Sequence, residues 1–469
     1  MGLSSAVVLL LGALRAKIVA VELGASGVGI LGIVTTSVVL ASTALGAGLG
    51  ASAVRAVAAS DNGGDSRSIV QVAVARGSFI LGLAAAPLVG VGWWWWGELI
   101  VPDPVGPSLA PWVAASVVAA IGTAGTAALL NGLGRIGALA TCSALGSLLG
   151  TLVFLAAMAF SESWGLITAF AAVPAATLLV GVTMARSTYP RGARVSRRLW
   201  APELGRMILL GLAVSSSIIL TNSTQLVSRV WVSHELGIDE AGYLQACLAI
   251  GAVYLGFVLN ALAAEYYPRI AQLGEDRELV NRAANDQMRL VLTLGGPVIL
   301  WMIATSPWLL RVLYSTDFMV GDTLLRLLLI GDVFKLVGWC IGFIFLAREA
   351  RRKFFLAEIS WNAFFLAVLL PFTHRGIEVV GLAYITAYFL YLIVSLVLAR
   401  RETAFVIVSA TRRAVIWVFS ATVATFAAAE SGSDLGLAVA LLIALVCTVV
   451  AVGRLIAWTR LDRLPSQVA

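Results

Sequence analysis

Charge is scarce in this chain. Of its 469 residues 12% are Asp, Glu, Lys or Arg and 60% are hydrophobic, with a mean hydropathy of +0.96. A soluble globular protein carries about 25% charged residues, so a soluble fold is excluded and the chain reads as an all-α polytopic membrane protein. Lysine is nearly absent, confined to Lys17, Lys335 and Lys353. Cysteine is rare as well. Cys142, Cys247, Cys340 and Cys447 stand far apart within apolar stretches, which excludes metal-ligand spacing and a disulfide framework and leaves four small core residues. The two histidines, His234 and His374, fall in gaps between apolar runs and read as solvated loop residues.

Other absences bear on function. The sequence contains no nucleophile–base constellation, no Gly-rich phosphate loop and no metal cluster, so no catalytic residue and no cofactor is expected and any energy source is an ion gradient, H⁺ or Na⁺. No extramembrane domain is expected either. The longest gap on the acidic side, near 97–109, is Pro-rich and too short to fold alone. A membrane-embedded glycan polymerase or ligase, which often carries its chemistry on a large external loop, is thereby disfavoured. The net charge of +7 might suggest nucleic acid, but its placement assigns it to membrane topology. The first apolar run lacks a basic leader and carries Arg15 and Lys17, so it reads as a span and not as a cleavable signal.

What is present is length. Apolar runs of about 20 residues fall at 3–21, 28–54, 69–96, 110–132, 137–160, 164–185, 204–232, 241–267, 286–312, 322–346, 354–373, 378–399, 412–429 and 435–453, predicting about fourteen transmembrane helices. The gaps between them alternate in charge. Arg55 and Arg67, Arg135, Arg186 through Arg198, Arg269 through Arg289, Arg348 through Lys353, and Arg400 through Arg413 mark every second gap, while Glu22, Glu98, Glu162, Glu235, Asp317, Glu378 and Glu430 mark the others. Basic gaps stay in the cytoplasm, which predicts both termini inside. Trp93 to Trp96 and Tyr266 with Tyr267 lie at predicted span ends and read as interfacial anchors.

The chain also repeats itself. ELGASGVGIL at 22–31 matches ELGIDEAGYL at 235–244 at five of ten positions, and the same offset of 213 pairs Arg76 with Arg289 and Trp95 with Trp308. Six helices separate the copies, an even number, so this is a parallel repeat about an axis along the membrane normal. The predicted layout is an N-lobe of helices 1–6 over 1–190, a cytoplasmic linker over 191–203, a C-lobe of helices 7–12 over 204–400, and two extra helices with a tail over 401–469. Pro87, Pro174, Pro297 and Pro371 inside spans, and Gly46-Ala47-Gly48-Leu49-Gly50 in the second, permit bending.

Polar groups inside spans are costly and usually face a cavity or a partner. Arg15 and Arg229 lie six or seven residues before Glu22 and Glu235, near equivalent depths in helices 1 and 7. With Lys17, Asn222, Gln225 and Asn260 they are candidates for a cationic substrate-binding cavity, with snorkelling and interhelical hydrogen bonding as the plainer readings. Asp332 and Lys335, at i and i+3 in helix 10, are either a neutralised structural pair or an ion-coupling site.

RAKIVAVELGASGVGILG at 15–32, VRAVA at 54–58, LGIDEAGYLQACLAI at 236–250 and YYPRIAQL at 266–273 resemble the polysaccharide-biosynthesis flippases. These are the O-antigen and enterobacterial-common-antigen type of the multidrug/oligosaccharidyl-lipid/polysaccharide exporter superfamily. The resemblance runs over roughly residues 10–400, on diffuse patterns. Its usual twelve helices fall two short of the number here, and lipid II flippases of the same superfamily have fourteen. It implies a flippase, not an enzyme, of the bacterial inner membrane that moves an undecaprenyl-diphosphate-linked oligosaccharide to the periplasmic leaflet by alternating access. A glycan polymerase and a chain-length regulator are the implied partners. The alternatives are a lipid II-type flippase and a multidrug or ion antiporter. The latter is disfavoured because Arg outnumbers acid in the spans.

Overall fold

The computed structural model describes residues 2–60, 65–102, 106–186, 195–274 and 276–461. Lipid offers backbone N–H and C=O groups no partner, so an apolar chain that enters it must bond to itself. The outcome is helical, with no strand among the described residues. The helices are α1 Gly2–Glu22, α2 Gly24–Leu45, α3 Leu49–Ala59, α4 Asp65–Ile100, α5 Ala110–Gly132, α6 Ile136–Phe160, α7 Glu162–Ala185, α8 Arg197–Glu235, α9 Ile238–Gln272, α10 Arg277–Ala304, α11 Ser306–Leu313, α12 Asp322–Ala347, α13 Arg351–Phe372, α14 Glu378–Thr403, α15 Ser409–Glu430 and α16 Asp434–Leu461. Among the described residues thirteen of these are long and apolar enough to cross a membrane, and α9 is a further helix of 35 residues.

Two expected spans are broken. The run expected over 28–54 becomes α2 and α3, because Ala47 and Gly48 adopt left-handed backbone with φ 51° and 57°. The run expected over 286–312 becomes α10 and α11, with Thr305 closing α10. The linker expected over 191–203 is shorter than read, since α8 already begins at Arg197 behind the N-cap Ser196, whose hydroxyl accepts from the Arg198 amide at 3.4 Å. Arg191 and Arg194 lie outside the described residues.

The chain forms two compact units, residues 1–243 with 313–315 and residues 244–312 with 316–469. The first therefore includes α8, which the repeat had grouped with the second half. In this first unit Ile33 and Val34 of α2, Val117 and Ile121 of α5 and Phe170 of α7 share one apolar core. Leu49 and Val57 of α3, Val74 of α4, Leu129 of α5 and Leu204 and Met207 of α8 share another. In the second unit α12 is the most enclosed helix, packed by α10, α13, α14 and α15.

Two glycines matched by the repeat meet each other. A Cβ on Gly29 would strike the Ile238 carbonyl and approach the Gly242 nitrogen at 3.0 Å, and a Cβ on Gly242 would strike the Ala25 carbonyl. The start of α2 thus lies directly on the start of α9, at a distance only glycine allows.

The aromatic anchors divide. Trp94, Trp95 and Trp96 are exposed as expected. Trp93 is buried and donates its indole N–H to the Gly106 carbonyl at 2.8 Å. Tyr266 is also buried, donating to the Cys340 carbonyl at 3.0 Å, so it is a core hydrogen-bonding residue and not an interfacial anchor. The side chain of Tyr267 lies outside the described residues. All four cysteines are buried and free, as their apolar surroundings implied.

Candidate functional site

In the first unit, α1 carries Arg15 about 10 Å along the axis from Glu22, at 1.5 Å per residue. Its guanidinium is half-buried against α6, donating through Nη1 to Thr151 Oγ1 at 2.6 Å and to Ser147 Oγ at 3.4 Å. Both partners are neutral hydroxyls, and no carboxylate pairs with Arg15 among the described residues. Thr151 in turn donates to the Ser147 carbonyl at 2.6 Å, which leaves its oxygen lone pairs for the arginine. Lys17, one half-turn on, reaches the Tyr314 carbonyl at 3.1 Å.

Arg229 is 5% exposed on α8 and donates from Nη1 to the Gln225 carbonyl one turn back at 3.0 Å. Asn222 donates to the Ile218 carbonyl at 3.0 Å. Both of these bonds lie within α8. The bonds of Arg15, Lys17 and Arg229 described here go to different partners, on α6, at Tyr314 and within α8. Asn260 is on α9, but its side chain lies outside the described residues.

In the second unit, Asp332 is 2% exposed at the middle of α12. The i, i+3 pair with Lys335 is not a direct contact. The hydroxyl of Tyr384, from α14, stands between them, donating to Asp332 Oδ1 at 2.8 Å and accepting from Lys335 Nζ at 3.0 Å. Tyr254, from α9, donates to the other carboxylate oxygen at 3.3 Å. The ammonium of Lys335 lies 5.1 Å from the ring centre of Tyr388 and 5.5 Å from those of Trp339 and Tyr384, a cage that stabilises a cation through ring quadrupoles. Glu358, from α13, lies within electrostatic range of Lys335. Charge buried in a low-dielectric interior is tolerated only when such partners surround it.

Sequence reasoning missed Tyr254, Tyr384, Tyr388, Ser147 and Thr151. A signal existed for two of them: Tyr384, Tyr388 and Tyr391 recur at i, i+4 and i+7, one face of α14. Tyr254 and Thr151 carry no local mark.

The loop reading fits His374 but not His234, which is helical because α8 runs on to Glu235. His234 ends α8 with Nε2 2.5 Å from the Leu99 carbonyl, and His374 sits in a short 3-10 turn. Among the described residues no group of His, Cys, Asp and Glu is arranged to hold a metal ion.

The chain is thus a multi-pass membrane protein with the all-helical fold shared by lipid flippases and multidrug exporters. The lipid II flippase MurJ in its inward closed conformation matches with a TM-score of 0.73 at 15% identity, covering 98% of this chain and 99% of that one. An inward-facing multidrug resistance MATE transporter of the MOP superfamily matches with a TM-score of 0.70 at 16% identity, covering 87% and 95%. In sequence, the lipid III flippase of Escherichia coli (strain K12) is 23% identical over 261 residues, 53% of this chain. The chain spans 60% of the length of that relative. No protein-family profile matches. The similar proteins are flippases and transporters, not enzymes.

Proposed function

We propose that this protein is a flippase for an undecaprenyl-diphosphate-linked oligosaccharide, moving it from the cytoplasmic to the periplasmic leaflet of a bacterial inner membrane. The observation that carries the reading is Arg15, a guanidinium inside a span whose partners are two hydroxyls and no acid. Its charge is therefore available to an anion, and a planar guanidinium meets phosphate oxygens two at a time. Buried Arg229 adds a second cation to the same unit. The sequence similarity to a lipid III flippase supports a lipid-linked substrate.

Asp332, Tyr384 and Lys335 are the proposed coupling site. A carboxylate shared between two tyrosine hydroxyls, with a lysine one hydroxyl away, can exchange a proton or hold Na⁺ while the lysine charge keeps the site balanced. The O-antigen type of substrate and the association with a glycan polymerase and chain-length regulator rest on the sequence resemblance.

The test is flipping of a lipid-linked oligosaccharide in liposomes of purified protein, read as its accessibility to an impermeant enzyme. Arg15→Ala is expected to lower the rate at least tenfold, about 1.4 kcal/mol, with Arg15→Lys intermediate because one-point contact replaces the fork. A wild-type rate in the Arg15→Ala, Arg229→Ala double variant removes the substrate role of both.

A further inference from the structure

Three arginines from three helices of the second unit line one cavity of about 670 Å³: Arg289 of α10, Arg413 of α15 and Arg454 of α16. Trp417 and Ser420 complete the face of α15, one and two turns after Arg413. The mouth is open, since Arg413, Trp417 and Arg454 are all exposed.

The charges here are only partly met. Arg289 pairs with Asp286, yet its buried Nε has no hydrogen-bond partner. Arg454 lies over the Trp417 ring at 5.7 Å and has no acid. Arg413 makes no hydrogen bond or ion pair among the described residues. By contrast Arg326, Arg348 and Lys353 of the same unit are each paired with a carboxylate. Counting Asp286, the cavity holds a net charge of about +2 at neutral pH.

Depth decides what anion could reach it. Along their axes Arg289 lies about 22 Å from Ala304, Arg413 about 25 Å from Glu430 and Arg454 about 30 Å from Asp434, at 1.5 Å per residue. A hydrocarbon core is about 30 Å thick, so the backbone of Arg454 reaches its edge, and those of Arg413 and Arg289 lie about 5 and 8 Å inside it, a depth from which a long arginine side chain extends to the headgroup level. Below them the walls turn apolar, with Pro297, Val418, Cys447 and Val450 around a narrow slot of about 10 Å³ that shares Trp417 and Arg454 with the cavity above and is too small to take in an acyl chain, which would lie along the outer face. Cationic at the headgroup level and apolar beneath, the arrangement matches a phospholipid and not a soluble anion.

We propose that this cavity is a binding site for the phosphate headgroup of an anionic phospholipid, resident on α10, α15 and α16 and separate from the transported substrate. It does not depend on the flippase reading. The test is binding to the purified full chain by native mass spectrometry, titrated with dioleoyl phosphatidylglycerol, dioleoyl phosphatidylcholine or inorganic pyrophosphate. Phosphatidylglycerol is expected to bind more tightly than phosphatidylcholine. Arg413→Gln is expected to weaken it about fivefold, the usual contribution of one basic residue at an anionic surface, and adding Arg454→Gln to weaken it further by a similar factor. Arg413 is exposed and unpaired, so its single variant keeps the fold intact. Arg401→Gln, outside the cavity, is the control and should bind as wild type. Equal binding of the two lipids, an unchanged affinity in the double variant, or displacement of the lipid by pyrophosphate at equal concentration would each overturn the proposal.

Discussion

Tyr384 keeps Asp332 and Lys335 apart while joining them. The two charges share one face of α12, but the phenol oxygen takes the place where a direct ion pair would form. Its removal should be felt by both. Tyr384→Phe deletes the donor to Asp332 and the acceptor for Lys335, and a loss of about 1–3 kcal/mol in stability is expected from leaving such groups unsatisfied. Asp332→Ala should cost more, about 3–5 kcal/mol, because it strands a buried cation. Asp332→Asn with Lys335→Met should recover most of that loss, since no uncompensated charge remains. Melting in detergent for the three variants, beside gradient-driven transport, checks both roles. A recovered melting temperature with transport still absent is the outcome expected of a coupling site. Wild-type transport in the double variant leaves the pair purely structural. At this scale the sequence was informative about charges and silent about hydroxyls. Asp332, Lys335 and Arg15 stood out because charge inside an apolar run is expensive. Tyr254 and Thr151 did not, because an apolar helix tolerates such residues anywhere and their partners lie on other helices.

Among the elements, the spans were readable and their interruptions were not. Hydropathy registers how apolar a stretch is, but not the sign of φ at Ala47 and Gly48. The break has a packing reason: a Cβ on Gly48 would strike Ser215 and the Gly211 carbonyl of α8. Gly48→Ala should therefore destabilise the protein by about 1–3 kcal/mol through overpacking, and Gly50→Ala, where the nearest atom to an added Cβ is 3.6 Å away, should be tolerated. A melting comparison separates them. The additional helices were also legible, but not what holds them. Asn285 of α10 is 2% exposed and clamps the chain entering α15, donating to the Val406 carbonyl at 3.0 Å and accepting from the Val408 amide at 3.0 Å. At the other end Arg326 of α12 binds Glu430 of α15 at 2.7 Å. Asn285→Ala leaves two backbone groups without their partner. It should cost about 1–3 kcal/mol and raise hydrogen exchange at residues 404–408 before the rest of the unit.

For the whole molecule, the alternation of basic and acidic gaps sets an orientation that can be measured directly. Reporter fusions after residues 351 and 405 are expected to be cytoplasmic, and those after 237 and 432 periplasmic. A periplasmic signal after 405 would reverse the assignment for α15 and α16, and with it the leaflet that Arg413 faces. The fold itself was accessible because lipid permits so few alternatives to a helix. The grouping of α8 with the first half was not accessible, because a repeat records likeness between segments and not which of them pack together.

The contact between Gly29 and Gly242 has a meaning that goes beyond packing. Two positions matched by the repeat touch each other within the first unit. A homodimer of a single half would place one glycine against its own twin, and any substitution there would be suffered twice at the same point. Joining the halves into one polypeptide lifts that constraint, because each copy can then change without its counterpart. Arg15 bound to hydroxyls on α6, and Asp332 bonded by two tyrosines from α9 and α14, are unlike fittings that two identical halves could not carry.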